Sequence, residues 1–355
     1  LMFPSRARVA LFARSLCATP DTVQVPIEEA RSVTAAALRK LGWDKHEASL
    51  QADIMLGAEI CGNNQGLVKM YQPALMAPAP GAKKPTIERD TPSSAVVNGN
   101  GSPGMLAAVT AADLAADKVT AAADAPTIAI VGTHNTSTSS GQLGFYAKRM
   151  AARGAIGICM ANSPEFVAAA AGGKPVFGTN PVAVGVPTTG PPLTFDMATS
   201  AIALYGALTA KAKGEPLPPG VAYGRDGGWT TDASEALEGG AIATFGGHKG
   251  MGLALVVELL AGALPGAAVL GQCESKKAAK NWGHTFIAIR PSGLVDGFEH
   301  KAASVLQAVK ASGPGVRLPG EASTRIADER QRAGTLQVPV KVWQAITTTA
   351  EHGLS

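Results

Sequence analysis

Charge is scarce in this chain and nowhere concentrated. Only 16% of its 355 residues are charged and the net charge is +4. Lys and Arg form no long cluster, so the electrostatic footprint of a nucleic-acid binder is missing. Cysteine is scarce too: Cys17, Cys61, Cys159 and Cys273 lie far apart with no C-x-x-C pair. That excludes a disulfide framework, argues against a metal site, and leaves reduced thiols in an intracellular compartment as the expectation. Long apolar runs are absent. The most apolar helical stretch, 250–264, carries Glu258 and falls short of a membrane span. What remains is a chain long enough to bury a sizeable core without disulfides, whose expected partner is a small ligand rather than a nucleic acid or a membrane.

The first sixteen residues, LMFPSRARVALFARSL, hold Arg6, Arg8 and Arg14, and no acid occurs before Asp21. Residues 1–24 therefore read as a basic extension or a mitochondrial transit peptide, giving a cytoplasmic or mitochondrial location. Residues 26–77 have helical periodicity, with Ile27, Val33, Ala37 and Leu38 on one face, and 78–103 is a Pro/Gly/Ser-rich linker or hairpin. From 91 to 291 short apolar runs alternate with helical patterns. Strands are expected at 95–97, 127–131, 156–160, 182–186, 193–196 and 285–290, and helices at 105–119, 142–153, 201–213, 249–264 and 299–312. The tail, 322–353, reads as pure helix. The expected fold class is α/β (α+β): a helical domain from both chain ends, 25–78 and 322–355, around a central α/β domain at 79–321.

Gly99, Gly101 and Gly104 spell the dinucleotide fingerprint G-x-G-x-x-G, but Pro103 sits where a backbone N–H should approach pyrophosphate. The strand that follows, TIAIVGTH, ends without an acid for the ribose. A glycine turn starting the helix at Met105 is the better reading. Farther on, THNTSTSS (133–140) puts one imidazole and six hydroxyls just before a helix. Short polar side chains there suit a loop that surrounds a carboxylate or phosphate.

Three later stretches press small residues against a polar anchor. GTNPVAVGVP (178–187) carries Thr179 and Asn180 before a proline, FDMATS (195–200) places Asp196 at a strand end, and FGGHKGMG (245–252) sets four glycines around His248 and Lys249. Singly, each is explained by turn and cap chemistry. Together they describe backbone approaching an extended, charged ligand from several sides.

In these words and this order the chain resembles the malate/L-lactate dehydrogenase family of the non-Rossmann type, which includes malate, L-sulfolactate and ureidoglycolate dehydrogenases. The matching segments are Gly178–Pro181, Asp196–Ser200, Gly247–Gly250 with Gly252, NWGHTFIAI (281–289) and Pro319–Glu321. The resemblance covers about residues 27–353 and implies a non-Rossmann nucleotide-binding fold, a homodimer with its site near the subunit interface, and NAD or NADP as cofactor. Carried over, the cofactor contacts are Ser163, Thr179, Asn180, Asp196, Met197, Ala198, His248, Lys249, Gly250, Pro319, Gly320 and Glu321.

The catalytic segment departs from the family. The family's Ser-His-Gly, with an Arg four residues after the His, reads here Asn64-Gln65-Gly66, followed by Lys69, and the place of the family's second His aligns with Ser139. Gln65 exchanges no proton near neutral pH. Chemistry is therefore reassigned to His134 in the polar loop or to Lys69, which keeps a positive charge and can act as an acid once desolvated. Ser139 and Gln65 complete the candidate set, and His284 is assigned to the fold. The leading function is NAD(P)-dependent hydride transfer to or from a small 2-hydroxy or 2-oxo acid. A cyclic imine carboxylate reductase and a catalytically degenerate cofactor-binding protein are the alternatives.

Overall fold

The computed structural model describes residues 22–63, 65–270 and 281–354. The basic segment up to Asp21, Asn64 and the stretch containing Cys273 lie outside the described residues.

Strand β1 (Thr22–Pro26) leads into helices α1 (Ile27–Lys40) and α2 (Lys45–Ile60). Helix α1 buries Ile27, Ala30, Thr34, Ala37 and Leu38, a stripe at helical spacing, with Glu28 and Glu29 in its first turn and Arg39 and Lys40 in its last, matching the helix dipole. Helix α2 opens on a capping box, Asp44 accepting from the Glu47 amide at 2.8 Å while Glu47 accepts from the Asp44 amide. Two 3-10 turns follow, Leu67–Tyr71 and Pro73–Met76.

The hairpin β2 (Thr86–Asp90) and β3 (Ser94–Asn98) then forms one edge of a seven-stranded sheet. The other strands are β4 (Ile128–Thr136), β5 (Ile156–Ala161), β8 (Val182–Val186), β9 (Leu193–Met197) and β12 (Trp282–Ile289), in the order β2-β3-β4-β12-β5-β8-β9. Only β3 and β4 pair in parallel. A doubly wound sheet needs consecutive parallel crossovers, so a Rossmann topology is ruled out and the Gly99–Gly104 motif is a turn at the start of α3 (Gly104–Thr120).

Helices α3 and α4 (Leu143–Ala151) cover one face of the sheet, and Phe286 of β12 meets Tyr146 of α4 edge-on at 5.8 Å. The neighbouring Thr285 points the other way and donates to the Leu260 carbonyl. Leu260 belongs to a π-helical segment (Glu258–Ala263) that continues α7 (His248–Val257).

The segment expected as one α/β unit contains a second, four-stranded sheet, β10 (Ala222–Tyr223), β11 (Ala241–Ile242), β6 (Val167–Ala168) and β7 (Pro175–Phe177), with helices α5 (Leu204–Lys213) and α6 (Ala233–Glu238). It has its own core of Val167, Phe177, Leu208, Leu217, Leu237 and Ile242. A larger core runs without a break from Leu38 and Ile54 through Met105 and Tyr146 to Phe286.

The chain closes with α8 (Phe298–Ala311), α9 (Glu321–Ala333), β13 (Thr335–Pro339) and α10 (Val340–His352). The tail is thus not pure helix. Gly334, at φ +69°, ends α9, and in Thr335–Pro339 Leu336 and Val338 are buried while Gln337 faces out, a period of two. Strand β13 pairs antiparallel with β1 and α10 packs on α1, so the two chain ends come together as expected.

Candidate functional site

Three of the four catalytic candidates meet. The Lys69 ammonium donates to the Ser139 hydroxyl at 2.8 Å and to the Gln65 side-chain oxygen at 3.1 Å, and it stands 5.6 Å from the centre of the Tyr205 ring. Lys69 is only 7% exposed, and among the described residues no carboxylate pairs with it. Burial without a counterion disfavours the charged form and lowers its pKa to about 8. Burial also pushes the Tyr205 phenol up to about 12, so it stays neutral beside the cation.

Local sequence explains the placement. Gly66 lies against Glu59, whose carboxylate accepts from the Leu67 amide and so holds the first 3-10 turn on the end of α2. Desolvation raises the pKa of Glu59. Sequence reasoning passed over this residue, although a lone acid in the apolar run IMLGAEI was the available signal. Gly104 brings the other half of the site into place: a Cβ there would lie 2.5 Å from the Thr138 carbonyl, so only glycine allows α3 to start against the polar loop.

The hydroxyls of that loop divide their work. The Thr133 hydroxyl bonds the His284 ring at 2.8 Å, the Thr136 hydroxyl donates to the Trp282 carbonyl, and the Ser139 hydroxyl faces Lys69, while the Ser140 backbone carbonyl accepts from Tyr146. His284 is fully buried with its pKa lowered to about 4 by desolvation, which fits a role in the fold. His134 does not join the Lys69 cluster. Thr133 uses the helix-covered face, strand alternation sends the next side chain to the opposite one, and His134 Nε2 pairs with Glu88 of the edge strand β2 at 2.9 Å. Of the two proton-handling candidates, His134 and Lys69, only Lys69 lies with Ser139 and Gln65.

The glycine-flanked corners are stitched together. The Thr179 amide donates to Ser163 Oγ at 3.2 Å, the Thr179 carbonyl accepts from the Thr199 amide at 2.9 Å, and the Thr199 carbonyl accepts from the Phe245 amide at 3.0 Å. The Gly250 amide then donates back to the Phe245 carbonyl. Gly246 and Gly247, both at positive φ, turn the chain into α7, so that His248 and Lys249 stand exposed at the positive end of that helix. Gly320 presses on the Thr194 carbonyl of β9, which brings the Pro319–Gly320–Glu321 turn beside the strand that carries Asp196 and Met197, with Ala198 next along the chain.

Two of these candidates are committed to protein partners. Asp196 accepts from the Gly144 amide at 2.8 Å and so anchors the start of α4; burial raises its pKa to about 6 against that hydrogen bond. Glu321 pairs with Lys310 at 2.6 Å, which holds its carboxyl below the usual range. Asn180 is fully buried, its side-chain amide donating to the Ala254 carbonyl and to Glu258. No His/Cys/Asp/Glu group among the described residues could hold a metal, and no described helix is long and apolar enough to cross a membrane.

The model of the family described as malate/L-lactate dehydrogenase matches residues 25–347. An L-sulfolactate dehydrogenase of Methanothermobacter thermautotrophicus is 34% identical over 340 residues, covering 93% of this chain and 97% of that one. A Delta(1)-pyrroline-2-carboxylate/Delta(1)-piperideine-2-carboxylate reductase of Pseudomonas aeruginosa is 39% identical over 188 residues, which is 51% of this chain and 56% of that one. The solved sulfolactate dehydrogenase of Methanocaldococcus jannaschii superposes with a TM-score of 0.83 at 28% identity, covering 93% of this chain and 97% of the other. With a mixed sheet in place of a doubly wound one, stitched glycine corners and a family match over nearly the whole length, the chain belongs to the malate/L-lactate dehydrogenase family.

Proposed function

We propose that this protein is an NAD(P)-dependent oxidoreductase that interconverts a small 2-oxo acid and its 2-hydroxy acid, with Lys69 as the proton-handling group. The observation that carries the reading is the buried Lys69–Ser139–Gln65 cluster. The family's dehydrogenases use NAD or NADP, and the exposed start of α7, with Lys249 beside it, fits the phosphates of such a dinucleotide. When bound, the reduced nicotinamide supplies the hydride.

In the reducing direction Lys69 donates a proton to the substrate oxygen at C2, which becomes the hydroxyl. Ser139 and Gln65 accept from the ammonium and hold its remaining N–H aimed at that oxygen. In the oxidising direction the neutral amine takes the hydroxyl proton back. The test is a screen of purified protein with NADH and NADPH against pyruvate, oxaloacetate and sulfopyruvate. Turnover lost in Lys69→Met supports the reading, and silence with every 2-oxo acid refutes it.

A second reading, reduction of a cyclic imine carboxylate, is favoured by the likeness to the Pseudomonas reductase. The same screen with Delta(1)-pyrroline-2-carboxylate decides between them. Tight cofactor binding without turnover on any substrate identifies the degenerate binder instead. We further propose a homodimer. Helix α8 buries no side chain, with Val305 58% exposed, and Leu259 of the π segment is 54% exposed, apolar surface that a second copy would cover. Light scattering behind a sizing column tests it, a monomer at micromolar concentration being the refuting result.

A further inference from the structure

We propose that Glu258, the buried carboxylate that opens the π-helical segment, is a positioning residue that clamps the two asparagines flanking the Ser163–Thr179 corner and thereby sets cofactor affinity. The inference rests on the reading that this corner meets NAD(P).

Glu258 is 3% exposed, and Asn162 and Asn180 are fully buried. One carboxylate oxygen accepts from Asn180 Nδ2 at 2.8 Å, and the other accepts from the Leu270 amide at 3.0 Å and from Asn162 Nδ2 at 3.3 Å. Asn180 Nδ2 also donates to the Ala254 carbonyl, so both of its acceptors fall on the nitrogen and the carboxamide has only one orientation. Asn162 donates to the Ala268 carbonyl at 2.7 Å and accepts from the Gly283 amide at 2.9 Å, which ties the end of β5 to β12. Asn180 stands at φ +37°, in the left-handed region that asparagine tolerates better than most L residues and glycine adopts freely.

The corner residues are the sequence neighbours of this clamp. Ser163 follows Asn162, Thr179 precedes Asn180, and the Thr179 amide bonds Ser163 Oγ. Glu258 directly follows α7 and opens the widened register, and such π segments concentrate where function constrains a helix. The carboxylate satisfies three buried donors at once, so removing it would leave two asparagine amides and a backbone N–H without this acceptor. Its use is to fix, from behind, the surface that a ligand meets.

The test compares wild type, Glu258→Gln and Asn180→Gly by titrating NADH and NADPH against nicotinamide fluorescence, with kcat at saturating cofactor and melting temperature measured alongside. Glycine accepts the positive φ, so Asn180→Gly keeps the question open to measurement even where Glu258→Gln fails to fold. Each folded variant should weaken cofactor binding about ten-fold, and Glu258→Gln, at a residue outside the contact set, should keep kcat at saturating cofactor and substrate KM within about two-fold. The double variant should bind no worse than the weaker single one, because both remove the same link. A wild type that binds neither cofactor defeats the functional reading, and this inference with it. A wild type that binds, with folded variants of unchanged Kd whatever their melting temperature, overturns the role of Glu258 alone.

Discussion

The Lys69 ammonium and the Ser139 hydroxyl lie 2.8 Å apart across 70 positions of sequence. The 3-10 turn held on the end of α2 brings the lysine and the loop before α4 brings the serine, so the contact joins the helical part of the molecule to the sheet. The neighbours of Lys69 accept hydrogen bonds without carrying charge, which leaves the amine free to titrate in the working range. Arginine at this position would be a permanent cation unable to give up its proton. Lys69→Arg is therefore expected to keep substrate binding within a few-fold and to lower kcat for 2-oxo acid reduction by about 100-fold. Steady-state kinetics with saturating cofactor measures both, and an unchanged kcat would remove Lys69 from proton transfer.

The same amine sets a pH dependence. With its pKa lowered to about 8, Lys69 is charged below that pH and neutral above it. Reduction needs the proton, so its kcat should fall as pH rises through about 8; oxidation needs the free amine and should rise over the same interval. Parallel profiles in both directions would contradict the assignment.

Stability moves with the same group. The unfolded chain holds the proton up to the ordinary lysine range, so between the two pKa values it binds more protons than the folded state, and stability rises with pH there. Below about pH 8 the buried ammonium costs on the order of 3 kcal/mol. Lys69→Met removes that cost. It should unfold at a higher urea concentration than wild type at pH 7 while losing turnover, and a lower midpoint would show that the bonds to Ser139 and Gln65 outweigh the desolvation.

Much of the fold was legible because its long elements obey a period. The strands at 128–136, 156–161, 182–186, 193–197 and 282–289 sit close to where apolar runs placed them. The small second sheet escaped notice because its strands are two or three residues long, too short for alternation to register. Strand β13 was hidden between two helices, where Thr335-Leu-Gln-Val-Pro reads equally well as helix continuation until Gly334 is seen to end α9. At the site, Lys69, Gln65 and Ser139 were readable from their place in motifs. The partners of Glu59 and Glu258 were not, since the fold alone brings those backbone amides and buried carboxamides near two acids that stand out only as lone charges in apolar runs.

Asp196 offers a test by titration. Burial raises its pKa to about 6, so between the ordinary Asp value and about 6 the folded state holds more protons than the unfolded chain, and this group favours folding at low pH and loses that contribution as pH rises through about 6. Asp196→Asn keeps an oxygen for the Gly144 amide and removes the buried charge. It should gain about 2 kcal/mol at pH 7 and flatten the stability profile between about pH 4 and 6, read from urea midpoints. An unchanged profile would mean that the carboxylate is well solvated.

Gly320 and Gly334 separate backbone strain from close contact at the two ends of α9. Both hold positive φ, +77° and +69°, so alanine at either must occupy the left-handed region at a cost of about 1 kcal/mol. They differ in surroundings. A Cβ on Gly334 would meet nothing within 4 Å, whereas one on Gly320 would stand 2.5 Å from the Thr194 carbonyl, and a backbone oxygen in a paired strand has little room to move. Gly334→Ala should therefore lose only the strain term, and Gly320→Ala about 2–3 kcal/mol, by strain plus displacement of β9. Because β9 leads into Asp196 and the Thr199 corner, Gly320→Ala should also weaken NAD(P)H binding, an effect absent from Gly334→Ala. Equal losses of stability in the two variants, with cofactor affinity untouched in both, would show that the Pro319–Glu321 turn is a connector and not a wall of the site.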